Sequence, residues 1–199
     1  MQQQQQQKQV NDRQMFHLAS IVAYTVAALI VLDNVLSVVI FRTLGSAAFA
    51  TMVSVAAILL QVLMLGVVAA LPCPPWARAC GYCARFIQIV GFILSLNGVS
   101  NSLLVPLHGS GLGIGAIWLI AVSWRIKGAT RVIGIPLALL DIVFSLHIVW
   151  WNQSLLSLVS TLFYLVWLLL IARVLHTYGK PEPAGPKQDS PWPDWHFAE

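Results

Sequence analysis

Apolar residues in this chain fall in runs of roughly 20, separated by short polar stretches, and this pattern constrains the fold most strongly. A helix of about 20 residues crosses a hydrocarbon core of about 30 Å. Only 9% of the 199 residues are charged, whereas a soluble domain carries about 25%. Too few charges remain to solvate a water-facing surface. The sequence therefore predicts an all-α, polytopic helical bundle that contacts the lipid bilayer.

Six transmembrane helices are predicted, with bounds set by the prolines and polar turns between the apolar runs. Pro72, Pro74 and Pro75 end the second helix, because proline cannot continue the hydrogen-bond ladder. The predicted helices are residues 17–41, 47–71, 86–107, 112–124, 132–151 and 154–175. The predicted domains are a disordered glutamine-rich tail at 1–15, the six-helix domain at 16–175, and a tail with proline and tryptophan at 176–199.

Basic residues are distributed unevenly between the two sides that six spans create. Ten of them fall on one side, and Arg42 alone falls on the other. Because cytoplasmic segments are enriched in Lys and Arg, this bias predicts a multi-pass protein of the cell membrane with both termini in the cytoplasm. The net charge of +4 thus reflects orientation, and no nucleic-acid partner is expected. The ten are Lys8, Arg13, Arg78, Arg85, Arg125, Lys127, Arg131, Arg173, Lys180 and Lys187.

Polar pairs spaced i, i+4 recur in three similar stretches of the predicted odd-numbered helices. The pairs are Asp33 with Ser37, Asn97 with Asn101, and Asp141 with Ser145. This spacing places both members of a pair on one helix face. The recurrence predicts three tandem helical hairpins, an internal repeat of the kind found in transporters. Chance similarity between apolar helices is the alternative interpretation.

The two carboxylates carry most of the functional information. An Asp near the middle of a span costs a few kcal/mol to insert, so it normally faces a partner, a cavity or a pathway. We therefore predict a proton- or cation-binding site built from Asp33 and Asp141. Its neutral oxygen ligands would be Ser37, Asn97, Asn101 and Ser145. The predicted helix bounds leave no Lys or Arg in the middle of a span. Interhelical hydrogen bonds that hold the bundle together are the alternative role.

The predicted function is a small, non-enzymatic transporter or channel-like protein that handles protons or a cation. A non-catalytic membrane subunit or scaffold, acting through self-association or a membrane complex, is the alternative from another class. A haem-binding redox protein is a lesser alternative. It is suggested by His17 and His176 near one membrane face and His108 and His147 near the other. No cofactor is expected under the first two hypotheses.

Cys73, Cys80 and Cys83 lie in one predicted loop and include a single Cys-x-x-Cys pair. A zinc site would need a fourth ligand, which the neighbouring sequence lacks. Three reduced cysteines are therefore favoured over a metal site or a redox pair.

The glycine-rich stretch 109–115 looks like a nucleotide-binding loop, but it follows no soluble strand. Gly111 and Gly115 instead form a GxxxG pattern. This pattern predicts a helix face that packs closely against a neighbouring helix.

Overall fold

The computed structural model of this chain is a bundle of six α-helices. It describes residues 2–126, 128–146 and 153–179, with the backbone alone at 2–10, 12, 37–42, 44, 47 and 153–157. All the regular elements in these ranges are helices. Five of the helical segments are long and apolar enough to cross a membrane. The chain is therefore a multi-pass membrane protein, and the fold class predicted from the apolar runs is confirmed.

The first two helices form one helical stretch, Gln2–Ala70, which is interrupted at Gly45. Gly45 has a φ of 83° and a ψ of 175°, a conformation open to glycine because it has no Cβ. We call residues 2–44 α1 and residues 46–70 α2. The other helices are α3 (Pro75–Leu96), α4 (Asn101–Arg125), α5 (Ala129–Ser145) and α6 (Gln153–Gly179).

α3 and α4 begin well before their predicted starts, and both contain a proline near the observed start. α3 begins at Pro75 rather than Phe86, because proline at the first helical position gives up no helical hydrogen bond. α4 begins at Asn101 rather than Leu112 and continues through Pro106. The predicted turn at 108–111 is therefore wrong.

The helical stretch also extends back to Gln2, where the glutamine tract predicted an irregular tail. The predicted tail at 176–199 begins inside α6, which ends at Gly179, and residues 180–199 lie outside the described residues.

The six helices form a closed ring, in which neighbours in sequence pack together and α6 packs back onto α1. The Ser20 hydroxyl of α1 donates a hydrogen bond of 2.9 Å to the Ala172 carbonyl of α6. Nearby, the ring centroids of Phe16 and Tyr178 are 6.3 Å apart. The first and last helices therefore close the bundle through direct polar and aromatic contacts.

Two tryptophans bridge the ring between helices that are not neighbours. Trp118 of α4 and Trp167 of α6 are both fully buried. Their ring centroids are 5.9 Å apart in an edge-to-face arrangement, one of the geometries that aromatic pairs prefer. Both rings belong to the buried hydrophobic core of the bundle.

Gly134 on α5 lies where any side chain would collide with α4 and α6. A Cβ there would lie 2.7 Å from Trp167 Nε1 and would overlap the side chain of Ser123. We expect Gly134→Ala to lower the free energy of unfolding in detergent by about 1–3 kcal/mol, because over-packing forces neighbours to move. The control is Gly66→Ala, where the nearest atom, Val22 Cγ1, is 4.0 Å away. It should be neutral, or stabilising by up to about 1 kcal/mol. Equal losses at the two sites would contradict this packing.

Candidate central cavity

A cavity of about 360 Å³ lies inside the ring and is lined by residues from all six helices. Its volume falls at the lower end of the range of roughly 300–1,000 Å³ for small-molecule sites. The wall is apolar on several sides, but every helix except α4 adds a polar side chain. These polar side chains are Asn34, Gln61, Arg85, Gln88, Asp141, Ser160, Thr161 and Tyr164.

Arg85 is the cation of this cavity, and it lies near the middle of α3. It lies ten positions after Pro75, which corresponds to about 15 Å along the helix axis. The expectation that no Lys or Arg lies mid-span is therefore wrong. Arg85 Nη1 donates a hydrogen bond of 2.8 Å to Gln61 Oε1 of α2. Its Cζ lies 5.7 Å from the ring centroid of Trp118. The guanidinium is thus held by α2 and α4.

Asp141 is the carboxylate of the cavity and comes from α5. The Arg85 guanidinium interacts electrostatically with this carboxylate. The Tyr164 hydroxyl of α6 lies close to both groups. Within the described part of the chain, Asp141 accepts no hydrogen bond. Two opposite charges on different helices therefore face one cavity, although Gln61 rather than the carboxylate holds the guanidinium.

Gln88 and His108 form a fixed polar pair between α3 and α4. Gln88 Nε2 donates to the His108 carbonyl at 3.0 Å, and Gln88 Oε1 lies 2.7 Å from His108 Nδ1. The Gln88 side chain packs against Gly111, and Gly115 also faces α3. The predicted close-packing role of Gly111 and Gly115 is therefore confirmed, and the amide of Gln88 is engaged within the bundle.

Asp33 does not line the central cavity. It lies in a separate pocket of about 110 Å³ between α1 and α2, with otherwise apolar walls. Its Oδ1 is buried without a hydrogen-bond partner among the described residues. Its neighbour Asn34 faces the central cavity instead, because consecutive helical residues point about 100° apart. The structure therefore places the two predicted carboxylates in different cavities.

Asn97 and Asn101 do not share a helix. Asn97 follows the last residue of α3, and its side chain donates to the Ile93 carbonyl at 2.7 Å. Asn101 begins α4, and both side chains are exposed. Gly98, with a φ of 73°, lies in the turn between them. Their predicted placement on one helix face is wrong, because the chain reverses direction here.

Ser145 lies one turn beyond Asp141, at the interface between α5 and α4. Its hydroxyl donates to the Ile142 carbonyl at 2.7 Å, and its side chain packs beside Gly113. It is therefore engaged by its own helix and does not line the cavity. The side chain of Ser37 lies outside the described residues.

The three cysteines are free, and they do not occupy one loop. Cys73 precedes α3, whereas Cys80 and Cys83 lie on that helix, so their predicted placement together in a loop is wrong. Burial raises the pKa of the Cys73 thiol, although Arg78 opposes the shift. A raised pKa makes this thiol a weaker nucleophile at neutral pH. The described residues contain no group of three or more His, Cys, Asp or Glu arranged to hold a metal ion.

The histidines lie in different environments. His17 of α1 and His176 of α6 lie side by side, with ring centroids 6.0 Å apart. His108 is held by Gln88 between α3 and α4. His147 lies outside the described residues, so its predicted pairing with His108 stays a prediction.

Gln61, Arg85 and Gln88 line the cavity, although none of them was predicted as a site residue. A useful signal was present, because Gln61 interrupts a long apolar run, and a polar residue inside a span usually faces the bundle interior. Arg85 and Gln88 are spaced i, i+3, which places them on one helix face. No protein-family model, curated protein or solved structure matches this chain significantly.

Proposed function

We propose that this multi-pass membrane protein is a small transporter or channel-like protein that binds its solute in the central cavity. Asp141 is its proton- or cation-handling group. The observation that supports this proposal is the presence of Arg85 and Asp141 in one cavity lined by all six helices. Charged side chains inside a membrane are expensive to insert, and they commonly mark a solute or proton pathway. Binding and release require no covalent step, so the proposed protein is not an enzyme.

The geometry of the cavity limits the kind of cation that can bind beside Asp141. A metal ion beside Asp141 would also be near the Arg85 guanidinium, because Arg85 acts on the same carboxylate. Two like unit charges about 6 Å apart repel by about 3 kcal/mol at an effective dielectric constant of 20. A proton, which removes the charge of the carboxylate, or an ammonium group that brings its own anion therefore fits this site better than a bare metal ion.

The proposed location is the cell membrane, with both termini in the cytoplasm. Arg85 no longer counts among the residues at the membrane surface, because it lies near the middle of α3, whereas Arg78 lies in the first turn of that helix. Nine basic residues on one side against Arg42 on the other still favour this orientation under the positive-inside rule.

Asp141→Asn is expected to lower proton flux in proteoliposomes at least tenfold, because an amide cannot take up and release the proton. The flux is measured with a trapped pH-sensitive dye under an imposed pH gradient, with valinomycin and potassium holding the membrane potential near zero. A set of monovalent cations is then tested in the same vesicles.

The matched control is Asp33→Asn, which removes the carboxylate of the separate pocket between α1 and α2. It should retain most of the wild-type flux. An unchanged flux in Asp141→Asn, or an equal loss in Asp33→Asn, would contradict the assignment of Asp141.

The interhelical polar contacts favour a second candidate, a non-catalytic membrane subunit or scaffold. Arg85 with Gln61, and Gln88 with His108, join neighbouring helices through side-chain hydrogen bonds, and such bonds stabilise membrane bundles. This candidate predicts no flux in a well-folded wild-type chain. It also predicts a partner complex that is lost when the chain is removed.

A further inference from the structure

The positions of Arg85 and Asp141 indicate the kind of solute that the cavity accepts. The guanidinium is fixed by Gln61 at 2.8 Å and by the face of Trp118. Asp141 enters from α5 and accepts no hydrogen bond from the described residues. The two charges are therefore held on separate helices and face the same space.

Neighbouring groups supply further hydrogen-bonding capacity on the Arg85 side. Arg85 Nε is buried and has no hydrogen-bond partner among the described residues. The Tyr164 hydroxyl lies beside Arg85 and Asp141, and Ser160 lines the same wall. A guanidinium and a phenol make a donor set that suits a carboxylate. The Asp141 carboxylate comes from a different helix, and it suits a group that carries N–H donors.

We propose that the central cavity binds a small zwitterionic organic solute, with its carboxylate on Arg85 and its ammonium group on Asp141. Such a solute adds no net charge to the membrane interior, where an unbalanced charge is costly. The cavity of about 360 Å³ equals the volume of about a dozen molecules of liquid water. This is enough room for an amino acid with a short apolar chain. The apolar wall formed by Val26, Ile30 and Met64 would contact that chain.

This inference rests on the proposed function, because the ammonium group of the solute would bind the same Asp141 carboxylate that takes up and releases the proton. Binding is tested separately from flux, so the two ideas can fail independently. Binding of a zwitterion without flux would support the solute class and overturn the transport proposal. Flux without binding of a zwitterion would support transport and overturn the solute class.

The test uses four probes with the same six-carbon skeleton: norleucine, ε-aminocaproate, caproate and hexylamine. The first two are zwitterions with different charge separations, and the other two each carry one of the charges. The full chain is purified in detergent, and affinity is measured by isothermal titration calorimetry and by the shift in thermal unfolding. At least one zwitterion should bind at least tenfold more tightly than both caproate and hexylamine.

Two charge variants should change this preference in opposite directions. Arg85→Gln removes the anion-binding group, so hexylamine should become the preferred probe. Asp141→Asn removes the cation-binding group, so caproate should become the preferred probe. Arg85→Lys retains the positive charge and should keep the zwitterion preference with weaker binding. Arg85→Lys is also the variant to compare with the wild type if Arg85→Gln fails to fold.

The controls remove equivalent charges outside the cavity. Arg78→Gln changes an arginine on the same helix, whose guanidinium faces the Leu71 carbonyl at 3.5 Å. Asp33→Asn changes the carboxylate in the other pocket. Both should retain the wild-type preference. The proposal is overturned if neither zwitterion binds, if a singly charged probe binds as tightly, or if the preference survives both Arg85→Gln and Asp141→Asn.

Discussion

Arg85→Met is expected to lower the free energy of unfolding by about 3 kcal/mol, because it leaves Asp141 without its positive neighbour inside the membrane. Breaking a buried ion pair typically costs about 3–5 kcal/mol, and Arg85 is hydrogen-bonded to Gln61 rather than to Asp141, so we expect the low end of this range. Methionine retains most of the apolar length of the arginine side chain. Adding Asp141→Asn to Arg85→Met should recover about half of the loss, since it removes the uncompensated carboxylate.

This prediction can be measured by reversible unfolding in mixed micelles, with the loss of helical circular dichroism as the signal. Arg78→Met is the control for the arginine, because Arg78 lies outside the cavity. Asp33→Asn is the control for the rescue, because Asp33 lines a different pocket. If Asp33→Asn restored as much of the free energy of unfolding as Asp141→Asn, the electrostatic pairing of Arg85 with Asp141 would be wrong.

Trp167→Ala is expected to lower the free energy of unfolding by about 3–5 kcal/mol, as large-to-small substitutions of buried aromatic residues do. Trp167 is fully buried and meets Trp118 edge to face at 5.9 Å, so its removal leaves a void in the packed core between α4 and α6. The same unfolding assay measures the loss. Trp76→Ala is the matched control, because Trp76 is 58% exposed, and its substitution should change stability by less than about 1 kcal/mol.

A double-mutant cycle tests the origin of this effect. Trp118→Ala and Trp167→Ala should be non-additive, with a coupling of about 0.5–1.5 kcal/mol for the ring contact beyond the apolar burial. Additive losses would contradict direct packing of the two rings. A loss at Trp76 as large as that at Trp167 would contradict the central position of Trp167.

The number of helices and the lipid contact could be predicted, because apolar run length is a direct consequence of bilayer thickness. The start of α3 could not, because Pro72, Pro74 and Pro75 are all consistent with a loop. Only the structure shows that Pro75 is the first helical residue and that the following ten residues continue the helix. Because α3 was predicted to begin at Phe86, Arg85 was assigned to a loop outside the membrane. It was therefore left out of the predicted site.

The sequence also predicted that Asp141 lies inside the bundle, because an intramembrane carboxylate needs a polar or aqueous environment. It could not predict which groups share the cavity with Asp141. Asp33 and Asn34 are adjacent in sequence, and only the rotation of α1 decides which of them faces the centre. The rotation of α1 depends on its packing against α2 and α6. Because α1 is apolar on most of its faces, its rotation could not be predicted from one sequence.

The ring closes only when α6 meets α1, and this has a consequence for biogenesis. The hydrogen bond from Ser20 to Ala172 joins segments that are synthesised far apart in time. Until α6 leaves the ribosome, the membrane holds a partial bundle in which Arg85 and Asp141 lack the wall formed by Ser160, Thr161 and Tyr164. Nascent chains that stall before α6 would therefore leave the polar side chains of the cavity open to lipid, where they are costly.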